Sequence, residues 1–548
     1  MKSETLVRNL VVRYGVAIFL SAFLLFQVQP LLANYILPWF GGTSSVWTGC
    51  LLFFQVLLVG GYAYAHLLSR LRLRVQARVH LVVLLLSLLM LPITPAESWK
   101  PTGSEIPVIR ILSLLAVSVG VPYLILSSTG PLLQSWFARD SGGASPYRLF
   151  ALSNAASLLG LVAYPFLVQP ALDVGPQTVW WSAGYVLFLV AVAVCAVPLL
   201  RRSSPRLAAP RETDAGTEAR PGRGTIALWL LLPGCASLLL LGITNRITME
   251  VAAVPFLWVL PLVLYLLTFI VSFEKPAWYS RRVFVPLLGL ALLANTMLFP
   301  LMFHPHWWHH VLITSATLFI CAMVCHGELF RLRPHPRHLT AFYLTIAVGG
   351  ALGGIFVAVV APVIFPGFWE VPLGLLLCLF LFLAIINREG AFPVDPKRRS
   401  RALGSIAVGV GLLAPGLMAV PLLSMWNTDV QVRTFYGVHT IEDRNLGTPR
   451  ALRVLRHGIT VHGAQFLSEG NERTPTSYYG PGSGIAIAVR NHPRRQAGEP
   501  MRVGVVGLGA GAIAGYAREG DEYGFYELDP QVLEFARNRF TYLEDSRG

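Results

Sequence analysis

Residues 501–530 read MRVGVVGLGAGAIAGYAREGDEYGFYELDP and predict a strand, a glycine turn, a helix, a second strand and an acid. The valine-rich start has the length and composition of a buried strand. Gly507, Gly509 and Gly511 follow at alternate positions, and glycine lets a backbone approach a ligand closely. Glu527 comes 20 residues after Gly507, where a carboxylate can accept hydrogen bonds from ribose hydroxyls. The stretch therefore predicts a Rossmann-like nucleoside-binding domain that begins at residue 501.

Two alternatives stay open for this stretch. A glycine trio also marks tight turns in α/β units that bind nothing. Asp529 either joins the nucleoside site with Glu527 or caps a helix that begins at Pro530. The spacing GxGxG, rather than GxGxxG, favours the nucleosides used by methyltransferases and aminopropyltransferases over dinucleotides.

The composition of the chain indicates a membrane protein. Of the 548 residues, 54% are hydrophobic and 13% are charged, whereas soluble domains carry roughly 25% charged residues. The net charge of +15 comes from arginines in short clusters between apolar runs, which argues against a nucleic-acid partner. All six cysteines lie inside apolar runs and are interpreted as small core residues.

Thirteen apolar stretches predict a helical bundle in the lipid bilayer, since a helix needs about 20 residues to cross it. They lie at 14–36, 46–68, 78–95, 107–135, 148–171, 178–200, 225–244, 253–273, 283–303, 308–327, 340–364, 367–387 and 403–425. The predicted fold is a polytopic α-helical membrane protein of about 12–13 transmembrane helices in a six-plus-six layout. Its parts are a first bundle (1–200), a basic cytoplasmic linker (201–224), a second bundle with one extra helix (225–425), a small β-rich subdomain (426–500) and an incomplete Rossmann-like domain (501–548).

Basic clusters at alternate connections predict a cytoplasmic amino terminus in a plasma or inner membrane. These clusters are Arg8 and Arg13, Arg70 to Arg78, Arg139 and Arg148, Arg201 and Arg202, Arg281 and Arg282, Arg331 and Arg333, and Lys397 to Arg399. If the thirteenth stretch spans, residues from Trp426 onward lie outside the cell. Nucleoside cofactors are cytosolic, so their supply favours the cytoplasm, and the side of the carboxy-terminal domain stays open.

Two groups of histidine and cysteine contain candidate metal ligands. His304, His306, His309 and His310 flank a Trp-Trp pair, and Cys321, Cys325 and His326 follow one helix-length later. The first group also fits an aromatic belt at a membrane surface, and no fixed ligand spacing supports a metal. No metal site is predicted.

Residues 426–500 predict a small antiparallel sheet followed by a helix. Short β-prone runs (435–441, 451–455 and 459–461) alternate with glycine turns. Further glycines, from Gly480 to Gly484, break the chain before an apolar helix.

The chain resembles the multi-pass membrane proteins that are fused to a spermidine-synthase-like domain. The resemblance rests on residues 17–42 (AIFLSAFLLFQVQPLLANYILPWFGG), 435–438 (FYGV), 457–465 (HGITVHGAQ), 475–484 and 507–530. It implies a nucleoside-dependent transferase of the aminopropyltransferase type, linked to polyamine metabolism. Decarboxylated S-adenosylmethionine or S-adenosylmethionine would be the nucleoside and a small-molecule amine the acceptor, and a homodimer stays open. The residues it places at the nucleoside are Gln465, Gly507, Gly509, Gly511 and Glu527, with Asp529 nearby.

The chain departs from that family at two points. Where spermidine synthases carry an Asp-Glu pair and a Tyr-His-Glu run, this sequence reads RTPTSYYG at 473–480, which leaves only Tyr478 and Tyr479 as substrate residues. A cationic amine lacks its counter-charges there. The catalytic base and the remaining strands are expected beyond residue 548, so no catalytic residue is assigned.

A second hypothesis follows from the helical part of the chain. The six-plus-six layout resembles the major facilitator transporters in architecture. It predicts a transporter or membrane scaffold whose appended domain only binds a nucleoside or is vestigial.

Overall fold

In the part of the chain that the structure describes, thirteen long helices precede the carboxy-terminal region. The computed structural model describes residues 2–103, 105–141, 147–201, 221–251, 254–274, 276–298, 307–334, 339–390, 396–426, 428–458 and 460–548. The helices are α1 (Lys2–Ile36), α2 (Ser44–Ser69), α3 (Leu73–Leu86), α4 (Pro107–Asp140), α5 (Tyr147–Ala163), α6 (Val174–Arg201), α7 (Arg223–Glu250), α8 (Pro255–Glu274), α9 (Arg281–Leu298), α10 (Trp307–Arg331), α11 (Leu339–Ile355), α12 (Glu370–Arg388) and α13 (Pro396–Trp426).

Each predicted apolar stretch forms one of these helices. Within the described ranges, eleven segments are long and apolar enough to cross a membrane. The remaining two helices are α9, which is described only to Leu298, and α13, whose apolar part is Val408–Ala419. The predicted helical layout is confirmed to this extent, and the predicted linker at 201–224 lies almost entirely outside the described residues.

Helix α3 differs from its predicted form. Helix α3 begins at Leu73, so Arg74 and Arg78 lie in its first turns and not in the preceding loop. Long arginine side chains can reach away from an apolar helix towards water, which explains why the helix tolerates them. Helix α4 continues through Pro122 and Pro131 for 34 residues.

The first and second sets of six helices pack in the same way. In the first half α1 contacts α4, α5 and α6, and in the second half α7 contacts α10, α11 and α12. The halves meet where α2 packs on α11 and where α5 packs on α8. Both α5 and α11 run into a five-residue π-turn, Tyr164–Val168 and Phe356–Val360, and then a short closing turn.

Among the described residues, one end of the bundle carries arginines of both halves, including Arg13, Arg139, Arg281 and Arg331, and we call it the basic end. In the first half Arg13 of α1 bonds Asp140 of α4 at 2.9 Å. In the second half Arg281 bonds buried Glu328 at 2.5 Å and Glu389 at 2.6 Å, which joins α9, α10 and the end of α12. The sequence predicts these helix ends on one side of the membrane, and the ion pairs hold the ends together within each half.

The carboxy-terminal region forms two small sheets. Strands β1 (Val430–Arg433), β2 (Val438–Arg444), β3 (Leu452–His457) and β4 (Thr460–Phe466) form an antiparallel sheet in chain order. Strands β5 (Arg502–Val506) and β6 (Glu522–Tyr526) pair in parallel, with Val503 opposite Tyr523. Helices α14 (Gly484–Asn491) and α15 (Pro530–Asn538) complete the region. The predicted antiparallel sheet and apolar helix are present, and β1 was not predicted.

The carboxy-terminal region packs against the end of the bundle opposite the basic end. Arg433 of β1 makes a two-pronged ion pair with Glu370 in the first turn of α12, at 2.9 and 3.0 Å. Gly437 and Gly458 lie against Met249 near the end of α7, and Tyr436 lies against Gly41 between α1 and α2. The region therefore contacts both halves of the bundle.

Candidate functional site

The predicted glycine turn connects β5 to a short helix. Gly507, Gly509 and Gly511 all have positive φ angles, of 89°, 58° and 80°. At Gly509 an added Cβ would lie 2.4 Å from the carbonyl oxygen of His462 on β4. The close approach that requires glycine here is therefore to the neighbouring strand. The predicted helix after the turn is only a 3-10 segment, Ala512–Tyr516, because the chain must return to β6 within a few residues.

The Glu527 carboxylate accepts hydrogen bonds from the backbone of the glycine turn and from the backbone that follows β6. One carboxylate oxygen accepts a hydrogen bond from the Leu508 amide at 2.8 Å, and the other accepts bonds from the amides of Leu528 and Asp529 at 2.8 and 2.9 Å. A carboxylate offers about four acceptor positions. About one position is left for a ligand hydroxyl, and the other three hold the glycine turn against the end of β6.

Asp529 is the N-cap of α15, as the structural alternative predicted. One oxygen accepts the Gln531 amide at 3.0 Å, and the other accepts bonds from the Thr434 hydroxyl at 2.6 Å and His439 at 2.8 Å. Burial favours a higher pKa for Asp529, but these hydrogen bonds outweigh it and hold that pKa below its usual value. The side chain is buried and joins β2 to α15.

The remaining residues named from the resemblance are also engaged. The Gln465 amide donates to Thr541 at 2.7 Å and to the Glu472 carbonyl at 3.0 Å, and it accepts the Thr541 amide. Tyr478 donates to the His462 carbonyl at 3.2 Å, and burial raises its pKa. Tyr479 packs against Tyr478 with ring centres 4.7 Å apart. Gln465 therefore connects β4 to Glu472 and Thr541 by hydrogen bonds. Tyr478 is more exposed than Tyr479 and Gln465.

The structure brings together three histidines that the sequence analysis did not single out as a site. They lie on β2 (His439), β3 (His457) and β4 (His462). The ring centre of His457 lies 4.7 Å from that of His439 and 5.5 Å from that of His462. The Nε2 atom of His457 is buried without a hydrogen-bond partner among the described residues. Burial lowers its pKa to about 4, with smaller contributions from His439 and His462. The only earlier signal was the motif HGITVHG, which places two of the three on a hairpin.

This histidine cluster predicts that the carboxy-terminal region loosens in mild acid. His457 is neutral in the fold, whereas an unfolded histidine takes up a proton below a pH of about 6.5. Stability is therefore fully present above about 6.5 and falls by up to about 3 kcal/mol as the pH approaches 4. Thermal unfolding of the full chain between pH 7 and 4 measures this. His457→Gln should flatten the profile, and exposed His492→Gln should leave it unchanged; equal profiles for all three proteins would contradict the assignment.

A second candidate site is a cavity of about 540 Å³ between the two halves of the bundle. Helices α1, α2, α4 and α5 line it from the first half, and α7, α8 and α11 line it from the second. Its polar lining consists mainly of amides and hydroxyls: Gln29, Gln55, Tyr62, Tyr123, Ser127 and Asn154. The volume lies within the range of small-molecule sites, roughly 300–1,000 Å³.

The cavity extends towards the basic end of the bundle and is closed at the opposite end. Arg139 and His66, in the last turns of α4 and α2, line the cavity. Towards the other end, buried Trp47 of α2 stacks on buried Trp258 of α8 at 5.2 Å. These two rings come from different halves, so they block the space between them.

Several hydrogen bonds cross between the halves around this cavity. Gln55 of α2 donates to Ser237 of α7 at 2.9 Å, and Thr48 bonds Asn245 beside the tryptophan stack. At the basic end, Asn154 donates to Glu274 at 3.0 Å in an exposed position. Exposed contacts hold less firmly than buried ones, so the basic end is the easier of the two to open.

The charge of the cavity indicates what it can hold. Among the described residues that line it, Arg139 is a cation and none is a carboxylate. A cationic amine would find no counter-charge in this lining, whereas hydroxyls, amides and an arginine suit a neutral or anionic solute.

The described residues among the candidate histidine ligands do not lie together in one group. His304 and His306 lie outside the described residues. His309 and His310 lie in the first turn of α10, whereas His326 lies 16 residues later on that helix, about 24 Å away. His326 is buried between the rings of Tyr265 and Phe269 and bonds Thr268 at 3.0 Å.

Comparisons with known proteins do not assign a family to this chain. No protein-family model matches it, and no curated protein matches it.

Proposed function

We propose that the helical bundle is a membrane carrier for a small polar solute that is neutral or anionic. The cavity shared by two similarly packed halves carries this proposal. In the state described, the solute enters from the basic end, and the Trp47–Trp258 stack closes the other end. Release on the far side requires the halves to separate at that stack and to close near Asn154 and Glu274.

A direct test is a binding screen on the full-length protein in detergent or nanodiscs. We expect neutral polar solutes or carboxylates to raise the melting temperature, and spermidine and putrescine to have no effect, because the lining lacks a counter-charge. Gln29, which donates to Tyr123 at 3.2 Å inside the cavity, supplies the variant.

Gln29→Leu should weaken binding of the active solute about tenfold, the value of one lost buried hydrogen bond. Thr345→Val on α11 is the matched control, since Thr345 does not line the cavity and its hydroxyl bonds only its own helix. Stabilisation by polyamines alone would contradict the proposed solute class.

A second candidate function is favoured by the glycine turn and Glu527. We propose that the carboxy-terminal region binds an S-adenosyl-type nucleoside next to β5 and β6, either for transfer to an acceptor or for binding alone. The parallel strand pair, the left-handed glycines and the carboxylate at the end of β6 support it. The region packs at the end opposite the basic clusters, so a cytoplasmic basic end places this nucleoside site on the other side of the membrane.

Glu527→Gln tests this second proposal. It should weaken binding of S-adenosylmethionine at least about tenfold, because a carboxylate that orders the turn and accepts a ribose hydroxyl is worth roughly 1.5–3 kcal/mol per charged hydrogen bond. Calorimetric titration of the full chain measures it, and exposed Glu522→Gln on the same strand pair is the control. Equal affinity in the Glu527→Gln protein and the unsubstituted protein would sink the proposal.

A further inference from the structure

Three of the six cysteines in the chain bring their sulfur atoms together in the second half of the bundle, and Cys321 lies beside them. Cys235 comes from α7, Cys321 and Cys325 from successive turns of α10, and Cys378 from α12. The sulfur atoms of Cys235, Cys325 and Cys378 all lie within 4.8 Å of one another. Three helices that are distant in sequence therefore direct a thiol to the same point.

The spacing of these sulfurs is compatible with a bound metal ion. Thiolate–metal bonds of about 2.3 Å place the sulfurs of a three-coordinate planar site about 4 Å apart. The Cys325 and Cys378 sulfurs are 3.9 Å apart. A small apolar residue would serve equally well if packing alone were needed, and packing does not require three thiols to face one another.

Burial and charge limit which ion this site can take. The three side chains are at most 1% exposed, so a site with a large net charge would be costly. The thiolate is the form of cysteine that binds a metal, so every bound sulfur adds a negative charge, and a site of three sulfurs keeps that charge lower than a site of four. Soft sulfur ligands select Cu(I), whereas structural zinc requires four ligands.

We propose that Cys235, Cys325 and Cys378 form a binding site for a soft monovalent metal ion, Cu(I), inside the second half of the bundle. The ion forms a bond to each of the three sulfurs, and each cysteine releases its thiol proton to solvent as it binds. The first half has no such group among its described residues, since it contains only two cysteines, Cys50 and Cys195. The site is separate from the cavity, whose lining includes none of the three cysteines.

The test uses the full-length protein with Cu(I) under anaerobic, reducing conditions and a competing Cu(I) chelator. We expect one Cu(I) per chain, an increased melting temperature, and an X-ray absorption spectrum with three sulfur neighbours at about 2.3 Å. Cys325→Ala and Cys378→Ala should each weaken binding about 100-fold or more. Cys50→Ala and Cys195→Ala are the matched controls, being buried cysteines outside the group.

The outcomes distinguish Cu(I) binding at these three cysteines from binding elsewhere in the protein. Binding that survives in Cys325→Ala and Cys378→Ala, or that is lost equally in the two controls, would overturn the proposal. If a cluster variant fails to fold, the absorption spectrum of the unsubstituted protein decides, since nitrogen or oxygen neighbours in place of sulfur exclude these ligands. Absence of any Cu(I) binding to the unsubstituted protein also overturns it.

Discussion

Arg433→Met is expected to destabilise the attachment of the carboxy-terminal region to the bundle by about 3–5 kcal/mol. Arg433 and Glu370 are buried, with side chains 5% and 0% exposed, and they form two parallel hydrogen bonds. Arg433 also donates to the Gly367 carbonyl at 2.8 Å. Removing the cation leaves the Glu370 carboxylate buried without its partner. Protease accessibility of residues 428–548 and thermal unfolding of the full chain measure the effect.

The same pair offers its own control. Arg433→Met combined with Glu370→Leu removes both charges, so the double variant should be more stable than Arg433→Met alone. Arg502→Met breaks the highly exposed pair with Glu522 and should change stability by less than about 0.5 kcal/mol. A double variant as damaged as the single one would show that the charge is not what matters at this contact.

Gly353→Ala is expected to disrupt the packing of α11 on α7 at a cost of about 3 kcal/mol or more. A methyl group there would lie 2.3 Å from the Gly234 carbonyl oxygen and 3.0 Å from the Leu238 nitrogen, and both belong to a helix backbone that cannot rotate away. The yield of monodisperse protein and its melting temperature measure this. The corresponding contact in the first half is Gly160 against the Phe23 carbonyl, at 2.4 Å.

Gly350→Ala is the matched control on the same helix. Nothing lies within 4 Å of an added Cβ at Gly350, so alanine should be neutral or should stabilise the helix by about 0.5–1 kcal/mol. Equal loss of stability in the Gly353 and Gly350 variants would mean that helix approach does not explain Gly353.

The helical part of the fold was predictable because helices that are long and apolar enough to cross a membrane follow a simple pattern. Runs of about 20 apolar residues and alternating arginine clusters are direct consequences of bilayer thickness and charge placement. What the pattern could not supply was which helices touch. The contact of α2 with α11 depends on side chains such as Gln55, whose carbonyl oxygen would lie 2.0 Å from a Cβ added at Gly354, and such fits carry no periodic signal.

The sites were predictable only as motifs. Residues 501–530 did predict the parallel strands and the glycine turn. Glu527, Asp529 and Gln465 also form hydrogen bonds with backbone groups, and their position in a motif does not predict those bonds. The histidine group depends on strand register, and His457 lies opposite His439 only because β2 and β3 pair as they do. The thiol group likewise depends on the meeting of α7, α10 and α12, and Cys235, Cys325 and Cys378 are far apart in sequence.

The two π-turns bear on the ancestry of the chain. Tyr164–Val168 and Phe356–Val360 are equal in length, each ends in valine, and each is followed by a closing turn with proline at its second position, Pro170 and Pro362. A π-turn arises from one extra residue in an α-helix. Two independent insertions at matching places are less economical than one. The two halves thus share one distortion at the same step of their fifth helix, which is the mark that end-to-end duplication of a six-helix unit would leave.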